Sequence, residues 1–247
     1  MCNTYFYTHL KDNEIIQRWK HAFKTKTLRT RFFDACMFGD MELILLFIRM
    51  GADNWNRGFW AACYGGHMNV IDLMVEKGVI SWSCGLDGAC QGGQTHIVNL
   101  MLERGAFDRR GGLRHACIGG NMDIVQLMID WGAYDWHEGF VEACRYGYVD
   151  IVKLMVENGA SAWNVGLREA CKSGNMDVVH MMVEKGANDW DGGLFGACET
   201  GQLTIAMCMI ESGANNLIWA QCLAREYEQE HIIEYLQTLH KRKKIRV

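Results

Sequence analysis

The sequence of 247 residues contains no proline, so no helix in it opens on the ring-fixed φ that proline supplies. It also lacks any apolar run of about 18 residues, which sets aside a membrane-spanning helix. Its first residues, MCNTYFYTHLKDNE, place polar and charged groups where a signal peptide carries its apolar segment, so neither secretion nor membrane association is expected. No Walker loop, GxSxG elbow or HExxH motif is present, and the nine histidines show no periodic pairing with acids. Catalysis, a bound metal and a cofactor are therefore not expected.

With 49% hydrophobic residues the chain can bury a continuous core. Eleven cysteines would suggest a disulfide framework in a secreted chain. Seven of them, Cys36, Cys63, Cys90, Cys117, Cys144, Cys171 and Cys198, stand at one interval of 27 residues. Equivalent sites on successive packed helices lie about 8–10 Å apart, beyond the roughly 7 Å Cα reach of a disulfide. Free, buried thiols acting as small apolar groups are the expectation, and they fit a reducing cytoplasm. Cys84 breaks the interval, is placed in a loop and is expected to be the first thiol to react.

The interval recurs at Gly51, Gly78, Gly105, Gly132, Gly159, Gly186 and Gly213 without insertion or deletion, the mark of a solenoid. Within residues 112–138, GLRHACIGGNMDIVQLMIDWGAYDWHE, Leu113, Ala116 and Cys117 lie three and four apart, as do Ile124, Leu127 and Met128. That spacing predicts two short helices with one apolar face each. Gly120 and its counterparts Gly39, Gly66, Gly93, Gly147, Gly174 and Gly201 predict a left-handed end to the first helix. Asn56, Ser83, Asn164 and Asp191 are expected to precede the first helix as caps, and Asn121 and Asn175 the second. Asp123, Asp150 and Asp177 fall in the first turn of the second helix, where the helix dipole favours them.

Trp55, Trp82, Trp136, Trp163 and Trp190 recur at the connector between units, where packing between units is the favoured reading over ligand stacking. Met74, Met101, Met128, Met155, Met182 and Met209 read as core filler. Cys63 and His67 sit four apart, as two metal ligands on one helix would, but the turn at Gly65 and Gly66 separates them.

The string GLxxACxGGxMDIVxLMVEKGA resembles the ankyrin repeat, whose pattern is PLHxAAxxGHxxVVxLLLxxGA, over about residues 31–241. Glycines, the Ala-small pair and the apolar triplet of the second helix fall in register. The family's unit has about 33 residues, and the residues missing here come from the segment between Gly78 and Gly85 and its equivalents, where ankyrin proteins build hairpin fingers. The proline that opens the family's first helix is a glycine here, as at Gly85 and Gly112. The resemblance implies an all-α, ankyrin-like α-solenoid of about eight helix-turn-helix repeats with short loops in place of β-hairpin fingers. Trp-rich, cysteine-containing, shortened units are also similar to arrays of giant DNA viruses, which implies a viral protein engaging a host factor.

A solenoid must cover its terminal apolar faces. The expected organisation is an N-terminal capping segment over 1–30 with a helix at 13–24, repeats over 31–216, a C-terminal capping repeat over 217–241, and a basic tail over 242–247. In the capping repeat Tyr227 and Glu228 replace the turn glycine region and Arg225 stands where cysteine was. Charge is uneven along the chain. Residues 15–31 hold Arg18, Lys20, Lys24, Lys26, Arg29 and Arg31 with no acid, whereas residues 32–240 carry 13 Lys and Arg against 27 Asp and Glu, a balance of −14. The terminal run with Lys241, Arg242, Lys243 and Lys244 reads either as a nuclear localisation signal or anionic-partner contact, or as a solubilising tail that complements a helix dipole. An acidic body makes a nucleic-acid partner unexpected.

Between the fixed letters the first helix of each unit varies. In ankyrin proteins that helix lines the partner-binding side, so the resemblance implies a protein partner held by Trp60, Tyr64, Arg114, His115, Glu142, Arg145, Tyr146, Arg168, Glu169 and Phe195. Aromatic and arginine side chains are the types enriched at binding hot spots. The expected protein is thus a monomeric, cytoplasmic interaction scaffold and no enzyme. Binding of nucleic acid or an anionic surface through the basic ends is the alternative.

Overall fold

The computed structural model describes residues 28–245. The helix expected at 13–24, and with it Arg18, Lys20 and Lys24, lies outside them, as does Lys26. Among the described residues there are sixteen α-helices and no strand. They run α1 Leu28–Phe38, α2 Met41–Arg49, α3 Trp55–Gly65, α4 Met68–Glu76, α5 Trp82–Gly92, α6 Thr95–Glu103, α7 Arg109–Gly119, α8 Met122–Asp130, α9 Trp136–Tyr146, α10 Val149–Glu157, α11 Trp163–Ser173, α12 Met176–Glu184, α13 Trp190–Thr200, α14 Leu203–Ser212, α15 Leu217–Glu226 and α16 Glu230–Ile245. These are eight helix-turn-helix pairs, with short connectors where hairpins would stand, as the sequence led us to expect. The chain divides into two compact units, one ending at Ile80 and one beginning at Ser81. The first contains α1 to α4 and the second α5 to α16.

Within each unit, odd-numbered first helices pack on one another and each carries its own second helix. Every first helix from α1 to α13 ends on a glycine at positive φ, for example Gly120 at 74°. A Cβ there would enter the left-handed conformation that L side chains avoid. At the last pair this place is taken by Glu228, at φ 56°.

The core follows the two helical stripes. In the pair α7–α8, Leu113, Ala116 and Cys117 are buried from the first helix and Ile124, Val125 and Met128 from the second. Leu127 was expected in that stripe but is half-buried. At about 100° per residue, Ile124, Val125 and Met128 subtend roughly 100° of the helix and Leu127 falls outside the arc. All six periodic methionines are fully buried, each burial contributing about 1.5–3 kcal/mol.

The seven periodic cysteines are buried and free, and their neighbours explain them. A Cβ on Gly139 would lie 3.0 Å from Cys117 Sγ, and one on Gly193 3.2 Å from Cys171 Sγ. Sulfur on one first helix thus meets a glycine on the next, so the helices approach closely. Burial pushes the thiols of Cys117, Cys144 and Cys171 up to about 12, with smaller contributions from Glu142, Glu169 and Cys208 respectively.

The first helices begin earlier than the sequence suggested. Trp55, Trp82, Trp136, Trp163 and Trp190 are not connector residues but the first helical residue of α3, α5, α9, α11 and α13. Their rings still pack between pairs: Trp55 lies edge-on to Phe32 and Trp163 to Phe140, each at 5.8 Å. The true caps stand one residue before, so Asp108, Asp189 and Asn216 accept from the backbone N–H of Gly111, Gly192 and Trp219. Asn56, Ser83, Asn164 and Asp191, expected as caps, are instead inside the first turn. Asn164 Oδ1 accepts from the N–H groups of Asn188 and Asp189 at 2.8 and 3.1 Å, and Asp191 Oδ1 from those of Asn215 and Asn216 at 2.8 and 2.9 Å. Each therefore holds the connector of the following pair.

A second set of bonds points the other way. Asn175 caps α12 by accepting from Val178 N–H and donates to the Gly147 carbonyl of the preceding pair at 2.9 Å. Asn121 stands at the same place but makes no cap bond; its amide donates to the Cys90 carbonyl at 3.4 Å. His67, the would-be metal ligand, occupies this position in the first unit and donates from Nε2 to the Met37 carbonyl at 2.9 Å. It is a bracing residue.

Candidate functional site

Three positions of every first helix, at i, i+1 and i+4, carry the side chains that differ most between pairs. In the first unit Phe33, Trp60 and Tyr64 stand among them. Trp60 stacks between Phe33 and Tyr64 with centroids at 5.9 and 5.2 Å, and the Arg57 guanidinium lies over Phe33 at 5.1 Å. Trp60 and Tyr64, both anticipated as binding residues, are thus brought together in one half-buried stack.

In the second unit the same positions form an ion ladder. Arg114 of α7 reaches Glu142 of α9 at 2.6 Å, and Arg145 of α9 bonds both Glu142 and Glu169 of α11 at 2.8 Å. Arg168 and Lys172 of α11 converge on Glu199 of α13 at 2.9 and 2.5 Å. Glu142 and Glu169 are the buried charged residues among the described residues; both are paired, as burial of a charge requires. Burial raises the Glu199 carboxyl, but the hydrogen bonds from Lys172 and Arg168 outweigh it and hold it below the usual carboxylate range.

The ladder begins at Asp87, whose Oδ1 lies 3.4 Å from His115 Nδ1. That N–H goes to the nearer Gly111 carbonyl at 2.9 Å, so the contact with Asp87 is chiefly one of charge. Burial pushes the His115 imidazole down, yet Asp87 and the Gly111 carbonyl together hold it above its ordinary value. Arg110 adds a rung outside the anticipated set, pairing with Asp135 at 3.0 Å and with Glu138.

Four of the ten anticipated residues, Arg114, Glu142, Arg145 and Glu169, are therefore joined in one network, while Arg168 pairs with Glu199 and His115 stands beside Asp87. Tyr146 is exposed and stacks on Tyr148 at 6.0 Å. Phe195 is half-buried on α13. Lys241, Arg242, Lys243 and Lys244 lie on α16, whose backbone continues to Ile245, so the basic run extends a helix; their side chains are outside the described set. Sequence reasoning missed the pairing itself. The available signal was opposite charge at separations of 28, 24 and 31 residues, close to one repeat.

Cys84 corrects a further expectation. It lies in the first turn of α5, not in a loop, and burial together with Asp87 pushes its thiol up to about 11. Cys222 on α15 is the exposed cysteine among the described residues. A recess of about 530 Å³ in the first unit is lined by Asp53, Trp55, Arg57 and Lys77. Among the described residues no cluster of three His, Cys, Asp or Glu is placed to hold a metal, and no helix is long and apolar enough to cross a membrane.

The paired helices, glycine turns and connectors define a helical-repeat protein. No protein-family model matches the chain, and no curated protein does. Among solved structures it is similar to the crystal structure of the human ASB11 ankyrin repeat domain, at 24% identity over 66% of this chain and 85% of that chain, with a TM-score of 0.45.

Proposed function

We propose that the chain is a non-catalytic scaffold that binds a protein partner through the outer positions of its first helices. One observation carries this reading: core positions repeat and are buried, while the outer positions change from an aromatic stack in the first unit to an ion ladder in the second. Repeat arrays offer broad, preformed surfaces whose exposed letters vary without disturbing the core. The free thiols fit a reducing compartment. A viral protein that engages a host factor is the finer form of the proposal, supported by tryptophan- and cysteine-rich shortened units. The alternative, anionic-surface binding through the basic ends, predicts steep salt dependence and loss of affinity on deletion of residues 241–247.

The test places a photo-crosslinking amino acid at Tyr64, Tyr146 or Phe195 on first helices, and at Gln126, Lys153 or His180 on second helices, in a native extract. A discrete adduct confined to the first-helix positions is expected. Adducts confined to the second-helix positions, or equal from both, would overturn the proposal.

A further inference from the structure

We propose that the first-helix face from Arg114 to Lys172 receives an acidic segment of a partner protein, an extended stretch with carboxylates at about every third residue. This rests on the interaction reading above and names the chemistry of its partner.

The argument begins with an asymmetry of exposure within the ladder. The side chains of Glu142, Glu169 and Glu199 are 6, 10 and 14% exposed, whereas those of Arg114, Arg145 and Arg168 are 39, 44 and 47% exposed. Carboxylates lie beneath and guanidinium groups above. A body with a balance of −14 over residues 32–240 therefore shows cations here. A guanidinium carries five N–H donors. Arg114 and Arg168 each commit one terminal nitrogen to a glutamate, so donors remain for a bidentate bond to a second carboxylate.

The buried glutamates also fix the cations in place. Arg145 is held by Nη1 to Glu142 and by Nε to Glu169. A side chain already ordered loses less entropy when a ligand arrives. Successive first helices stand about 8–10 Å apart, and a segment in the extended polyproline II conformation rises about 3.1 Å per residue with three residues per turn, so every third side chain faces the same way and meets the next helix.

A phosphodiester chain fits this face less well. Three glutamates already offset the four cations Arg114, Arg145, Arg168 and Lys172, and nucleic-acid affinity depends on releasing counterions through unneutralised charge. A few oriented guanidinium groups suit discrete carboxylates.

The test uses the purified full chain and a fluorescein-labelled dodecapeptide with glutamate at every third position, against an isomer with its glutamates contiguous. Fluorescence anisotropy is expected to show salt-sensitive binding, about tenfold tighter for the spaced peptide. The double variant Arg114→Gln/Arg168→Gln leaves Arg145 shared by Glu142 and Glu169 and Lys172 on Glu199, and each introduced glutamine can still donate to its glutamate. It is expected to keep the wild-type melting curve and to lose tenfold or more in affinity, while Lys153→Gln on α10 changes neither. Failure of the spaced peptide to bind, equal binding of the isomer, or an equal loss in Lys153→Gln would overturn the proposal. So would tighter binding of a single-stranded oligonucleotide that the double variant abolishes. If peptide binding fails while adducts still form only from the first helices, the acidic partner is wrong and the scaffold reading stands; adducts from the second helices defeat both.

Discussion

Gly119→Ala tests the closeness of the first helices. Gly119 is the last residue of α7, and a Cβ there would lie 2.3 Å from the Gln91 carbonyl oxygen of α5 and 2.9 Å from its carbon. Real Cβ contacts stay above 3.0 Å, so the helices must part by roughly 0.7 Å. A gap of that order forfeits about a quarter to a half of the dispersion energy of the atoms that separate. Because the obstacle is backbone, no rotamer change relieves it. A clash with backbone puts the cost at the upper end of the about 1–3 kcal/mol range for overpacking, and replacing a helical glycine returns about 0.5–1 kcal/mol, which leaves a net loss near 2 kcal/mol. At about 2–4 °C per kcal/mol for a domain of this size, the melting point falls by about 4–8 °C. Gly112→Ala on the same helix is the control. There the Cβ meets Met128 Cε at 2.8 Å and other side-chain atoms, which can swing aside, and the expected change is within about 1 kcal/mol. Circular dichroism melts and urea titrations of both variants provide the comparison. A Gly119→Ala chain as stable as Gly112→Ala would refute direct packing of α5 on α7.

Met128→Ala should cost about 2–5 kcal/mol, read by urea unfolding; a loss below 1 kcal/mol would contradict its complete burial. With an aromatic disulfide reagent at pH 8, Cys222 is expected to react promptly, and Cys222→Ala should take one thiol equivalent out of the prompt phase. Cys117 and Cys144, whose thiols sit near 12, should react only on unfolding, and fast labelling of either would refute their placement. Glu199 has its carboxyl held down in the folded state, so its stabilisation is complete above the usual carboxylate range and is lost as pH falls through the lowered folded value. Glu199→Gln should flatten the acid limb of a stability profile. His115 has the opposite sign. Its raised value means stabilisation that is full below the ordinary imidazole range and is lost as pH rises through the folded value, and Asp87→Asn should remove that dependence.

The repeat made the helices, their glycine ends and the methionine and cysteine core legible, because those depend on letters recurring within one unit. Contacts between successive helix pairs were not legible in the same way. Asn164 and Asp191 look like helix caps when read locally, and only the position of the next connector shows that they hold its amides. Glu142 and Glu169 read as free surface letters, yet both are buried beneath arginines from neighbouring helices. Cys84 was misplaced for a related reason: its helix opens at Trp82, whereas aromatic residues there suggested a connector.

The grip of Asn164 and Asp191 on the following connector has an evolutionary consequence. A side chain that recognises two main-chain amides does not depend on the identity of the residues that present them. An in-frame tandem duplication would therefore arrive with a clasp for its successor and a socket for its predecessor, so arrays of this kind can lengthen or shorten by whole modules while every junction stays familiar.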